Sequence, residues 1–86
     1  MNVLEEKGIT TLDLHGEKHE FIEDIVIDFV YQYQQKFPLI IICGNSSRMI
    51  NLVLDSLKKN NIKNSSPRYG IVRIEGFNWV NLIHFY

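Results

Sequence analysis

Asp13 and His15 stand two residues apart in Leu12-Asp13-Leu14-His15-Gly16, at the end of an apolar run that begins at Ile9. Read as a strand, the run alternates faces: Leu12 and Leu14 point into a core, and Asp13 and His15 point together to the other side. A carboxylate and an imidazole so placed can share a proton or a phosphate. His15 can act as general acid or base near neutral pH, with Asp13 orienting the ring or holding a proton. Gly16 gives the chain steric freedom as it leaves the strand and lets another backbone come close. A plain structural reading stands beside this one. In it, Asp13 bonds backbone groups at the strand-to-helix turn and His15 packs over the sheet.

A second group is Gly44-Asn45-Ser46-Ser47-Arg48, a short Gly/Ser loop opening a helix. Free amides and the helix dipole suit such a loop to an anion. It lacks the lysine and the full glycine pattern of a phosphate loop, and a serine-capped turn explains it equally well. Phosphodiester cleavage also needs charge stabilised, for which Arg48, Arg73 or the amides of that helix are candidates. Cys43 beside the helix start can be imagined as a nucleophile with His15; a buried cysteine closing a core strand is the better reading. Asp13, His15, His19 and Cys43 fit no zinc spacing, so no metal ligands are assigned. No cofactor is fixed, and a divalent cation such as magnesium on Asp13 is compatible with the chemistry. Tyr69, Phe77 and Trp79 can stack on unpaired bases, but in so small a domain most are expected in the core.

These residues need elements to hold them. Ile9 to Leu14 reads as the first strand. Across 17–36, Phe21, Ile22, Ile25, Val26, Phe29, Val30 and Tyr33 recur at helical spacing, and Pro38 stops that helix. Leu39-Ile40-Ile41-Ile42-Cys43 is apolar on both parities, as in a strand covered on both faces. A second helix is expected over roughly 47–59, with Met49, Ile50, Val53, Leu54 and Leu57 inward and Ser46 or Ser47 as cap. Lys59 to Pro67 reads as a loop. Tyr69–Glu75 and Trp79–Phe85 read as the last two strands, turning at Gly76-Phe77-Asn78, with His84 on the parity of Val80 and Leu82. Residues 1–8 are an N-terminal arm or disordered lead, and 9–86 the domain proper. The expected fold is an α/β two-layer sandwich, β-α-β-α-β-β, with a mixed four-stranded sheet. Ligands of open α/β sheets gather beyond the carboxyl ends of parallel strands, and both motifs fall at such ends.

An 86-residue chain makes one small domain, and its 45% hydrophobic and 22% charged residues are those of an ordinary globular protein. Nine basic against ten acidic residues argue against nucleic-acid binding by bulk positive charge, leaving local placement of a few cations. The single cysteine rules out an internal disulfide and suits a reducing, cytoplasmic setting. Acids near the N-terminus do not resemble a signal peptide, and no run approaches the roughly 18–20 apolar residues of a membrane-spanning helix.

The sequence from Ile9 to Phe85 resembles the small MutS-related (Smr) domain family. Leu12-Asp13-Leu14-His15-Gly16 matches the family's LDLHG signature, with Glu20 where an acidic residue commonly follows. Cys43-Gly44-Asn45-Ser46 stands at its second motif, where Gly44 matches, Ser46 replaces the second glycine, and Cys43 replaces Thr or His. The resemblance implies a nucleic-acid-binding domain with endonuclease activity, nicking DNA or cutting RNA, and partners among ribosomes or repair proteins. It also implies that Asp13 and His15 take the catalytic or nucleic-acid-contacting role and that Gly44 shapes a phosphate-contacting turn; with the residues' own chemistry, the expected phosphate contacts are Gly16, Gly44, Asn45, Ser46, Ser47, Arg48 and Arg73. A non-catalytic adaptor and a small-molecule phosphate binder are the alternatives. The chain is expected as a monomer or weak homodimer, depending on whether residues 1–8 or another copy covers the second strand.

Overall fold

The structure, a computed structural model, describes residues 1–78. The expected strand Trp79–Phe85, with Trp79 and His84, lies outside the described residues. The elements are β1 (Asn2–Glu6), β2 (Ile9–Asp13), α1 (Ile22–Gln32), β3 (Leu39–Ile42), α2 (Ser47–Lys59), β4 (Ile62–Arg68) and β5 (Ile71–Phe77). They build a mixed α/β sheet in the order β1-β2-β3-β5-β4, five strands among the described residues where four were expected in all. β2 and β3 are parallel; β1 is antiparallel to β2, and β5 is antiparallel to both β3 and β4. Residues 2–8 form β1 and the two-residue Lys7-Gly8 turn that joins it to β2.

Alternation decides what each strand buries. Leu12 and Leu14, Leu39 and Ile41, and Val72 and Ile74 point to one face, in a single core with Ile22, Val26, Phe29, Val30, Met49, Val53 and Leu57 from the helices. The opposite parity (Ile9, Thr11, Ile40, Ile42 and Ile71) lies on the face away from the helices, around a shallow cavity of about 290 Å³. β1 extends the sheet sideways rather than lying over that face.

α2 spans the expected range, and Ser46 is its cap, accepting the Met49 N–H at 3.2 Å. α1 is shorter than the 17–36 read from periodicity: its α-helical part ends at Gln32, and single 3₁₀ turns flank it at His19–Phe21 and Gln34–Lys36. Phe21, counted inward, is half exposed. No helix among the described residues is long and apolar enough to cross a membrane.

The final hairpin is the main correction. Residues 62–67, read as loop, belong to β4 (Ile62–Arg68), which pairs with β5 across a turn at Tyr69-Gly70. Gly76-Phe77 closes β5 instead of turning it. β4 hides from pattern reading because it is a polar strand at the edge of the described sheet, with two register shifts, between Lys63 and Asn64 and between Ser65 and Arg68. Pro67 is tolerated there because an edge strand has N–H groups with no ladder partner.

Candidate nucleic-acid interface

Backbone pairing brings the two sequence motifs to one rim. The Leu14 N–H donates to the Ile42 carbonyl at 3.0 Å, carrying the β2–β3 pairing to the last residue before His15. Neighbouring strands lie about 4.8 Å apart, so the His15 and Gly44 backbones emerge side by side.

Asp13 ends β2 on the open face, half-buried, and its Oδ1 accepts the backbone N–H of His15 at 2.9 Å. The acid therefore bonds the turn, as the plain structural reading expected, while His15 stays exposed rather than packing over the sheet. The Glu17 N–H closes the turn onto the Leu14 carbonyl at 3.1 Å. Gly16 sits inside it with φ +82°, a conformation that L side chains resist.

At the next strand end, Gly44 and Asn45 are exposed, Ser46 caps α2, and Ser47 and Arg48 open its first turn as exposed residues. With the Met49 N–H on Ser46 Oγ and the Ile50 N–H on the Ser46 carbonyl at 3.0 Å, the Ser47 and Arg48 amides have no carbonyl within the helix to bond. Cys43 is buried, and desolvation raises its thiol pKa to about 11, opposite to what a nucleophile needs.

Arg73 is not at this rim. On β5 it pairs with Ile40, one pleat back from Ile42, and its Nε lies 3.9 Å from Glu75 Oε2. Beside the second motif stands instead the β4–β5 turn, which the sequence reading did not place there. The Cys43 N–H donates to the Gly70 carbonyl at 2.8 Å, and a Cβ on Gly70 would lie 2.5 Å from the Gly44 carbonyl oxygen. That contact fixes the turn against the second motif and sets Arg68 and Tyr69, both exposed, beside it. Glycine after an aromatic at the end of a polar run was the available signal, and reading 59–67 as loop concealed it.

Among the described residues, no three His, Cys, Asp or Glu side chains gather to hold a metal ion. Asp13 keeps its second carboxylate oxygen, which suits a magnesium ion held mainly by phosphate and water.

The chain matches no protein-family model and no curated protein. Among solved structures it is similar to the crystal structure of a human small-MutS related domain, with a TM-score of 0.57 and 21% identity. The match covers 76% of this chain and 97% of that one. The chain has an Smr-type fold.

Proposed function

We propose that this domain binds nucleic acid along the rim formed by His15, the Gly44–Arg48 loop and the β4–β5 turn, and cleaves a phosphodiester there. The convergence of two strand ends, a helix start and a backbone-locked turn carries the reading. The free amides of Ser47 and Arg48, with the Arg48 guanidinium, receive phosphate oxygens. This small set of donors suits a chain whose net charge of -1 provides no general attraction. His15, exposed beside that anion site, transfers the proton that cleavage requires, and Asp13 holds the turn that presents it. The Smr-type fold supports the assignment.

A non-catalytic adaptor is the second reading, favoured by one observation: Asp13 bonds the backbone N–H of His15. A triad-like orienting acid would bond the imidazole instead. One assay separates the two. Supercoiled plasmid and a structured RNA are incubated with wild type and His15→Ala, with and without magnesium, and binding is measured in parallel. Cleavage that falls by about 10²-fold or more in the variant, with binding retained, is expected for a proton-transfer role. Equal cleavage in both proteins refutes that role. Binding without cleavage in either leaves the adaptor.

A further inference from the structure

Tyr69 is 65% exposed, the most exposed of the large hydrophobic side chains among the described residues. Its ring has no aromatic partner there, unlike Tyr31, which lies 5.4 Å from Phe77. A tyrosine offers an apolar ring face beside a polar hydroxyl, the combination enriched at binding surfaces. Nor is the position loose. Gly70, the next residue, is buried, bonded through its carbonyl to the Cys43 N–H, and in contact with Gly44. The backbone that carries the ring is therefore held in place before any ligand arrives, which lowers the entropy cost of binding.

Beside it opens a cavity of about 270 Å³ between the first turn of α2 and the β4–β5 hairpin. Apolar Ile50, Ile71 and Val72 line it with the exposed Ser66, Arg68 and Tyr69. This volume is below the roughly 300–1,000 Å³ typical of drug-sized ligand sites, so it suits one flat ring system. The surrounding charge fits what would be attached to such a ring. Arg68 lines the cavity itself, and the exposed first turn of α2, with its free Ser47 and Arg48 amides, opens the same helix that contributes Ile50. A flat ring flanked by anions is an unpaired nucleotide within a strand.

We infer that the cavity between α2 and the β4–β5 turn receives one unpaired base, stacked on Tyr69, and that the domain therefore selects single-stranded over duplex segments. The inference rests on the rim being a nucleic-acid surface and adds the class of strand it takes. A duplex keeps its bases stacked on one another and offers only their edges, so it cannot fill the cavity. A single strand supplies a free π-face at every residue, and stacking on an aromatic side chain is tolerant of sequence. Its phosphates then run over Arg48 and the α2 amides toward His15.

The test uses short oligonucleotides carrying one 2-aminopurine, as single-stranded RNA, single-stranded DNA and the corresponding duplexes. The probe is excited to the red of tyrosine and tryptophan, and an end label reports affinity by anisotropy. Wild type is expected to bind single strands at least about tenfold more tightly than duplexes and to quench the probe. Tyr69→Ala should weaken single-strand binding by about 5- to 150-fold and abolish the quench. Tyr69→Phe, which keeps the ring, should retain both. The RNA and DNA arms identify which strand is preferred. Equal affinity of wild type and Tyr69→Ala for single strands, or equal affinity for duplex, overturns the stacking site. If Arg48→Ala still weakens binding in that case, the rim reading survives. Absence of binding to every probe overturns both.

Discussion

Replacing Gly70 by alanine tests the contact on which the rim is built, and Gly16 provides a matched control. Both have nearly the same backbone conformation, φ +83° and +82°. An alanine in that region costs about 1–2 kcal/mol, partly offset by the roughly 0.4–1 kcal/mol gained from a stiffer unfolded chain. The two sites differ in their surroundings. At Gly16 a new Cβ meets nothing within 4 Å, whereas at Gly70 it lies 2.5 Å from the Gly44 carbonyl oxygen and 3.3 Å from its carbon. Both are backbone atoms and cannot rotate away, so the hairpin or the second motif must move, at about 1–3 kcal/mol more. Gly16→Ala should therefore be milder, and Gly70→Ala should melt about 4–24 °C below it, at 4–8 °C per kcal/mol for a domain of this size. Thermal unfolding followed by far-UV circular dichroism measures the difference. Coincident melting of the two variants refutes the close approach of the β4–β5 turn to Gly44, and with it the assembly of the rim.

Two further outcomes follow from the buried thiol and a surface ion pair. Cys43 should resist alkylation in the native protein near pH 8 and react readily in guanidinium, because burial holds its pKa near 11 against the ordinary 9.0. The unfolded chain then loses this proton at lower pH than the native one, so the thiol's contribution is full below pH 9 and falls as pH rises from 9.0 toward 11. Denaturant titrations should show part of the alkaline stability loss disappearing in Cys43→Ala; an unchanged slope refutes the assignment. Lys59 Nζ lies 3.2 Å from Glu23 Oε1 across the two helices, but both side chains are well exposed. Lys59→Ala should shift the midpoint by no more than about 8 °C, as expected for a pair contributing at most about 1 kcal/mol.

Where burial was one-sided, residue types revealed the structure. α2 was legible to its limits because a cap, an apolar stripe and a polar face agreed. β3 was legible as a run apolar on both parities, and the structure adds that its two faces differ. Leu39 and Ile41 are fully buried under the helices, while Ile40 and Ile42 are only half covered. β4 carried no such signal: its polar side chains and shifted register erase the period of two. β1 was obscured because Lys7, with φ 53°, occupies a hairpin position where Asn or Asp is the usual cue. Missing β4 displaced the last hairpin, hid Arg68 and left Tyr69 among aromatics expected mostly in the core, although Val72 and Ile74 were assigned to the correct face. At the site, Asp13 ends β2 half-buried, and His15, one step beyond the strand, is exposed. The bond from the His15 amide to Asp13 depends on turn geometry that side-chain alternation does not encode.

The two outer strands of the described sheet also govern how these molecules meet one another in a crowded solution. One border carries Glu5 and Glu6, and the other is kinked by its shifts and interrupted by a proline. Neither offers the flat, unbroken row of donors and acceptors on which a neighbour's strand can align. Growth of the sheet from copy to copy into filaments is thereby discouraged at both margins.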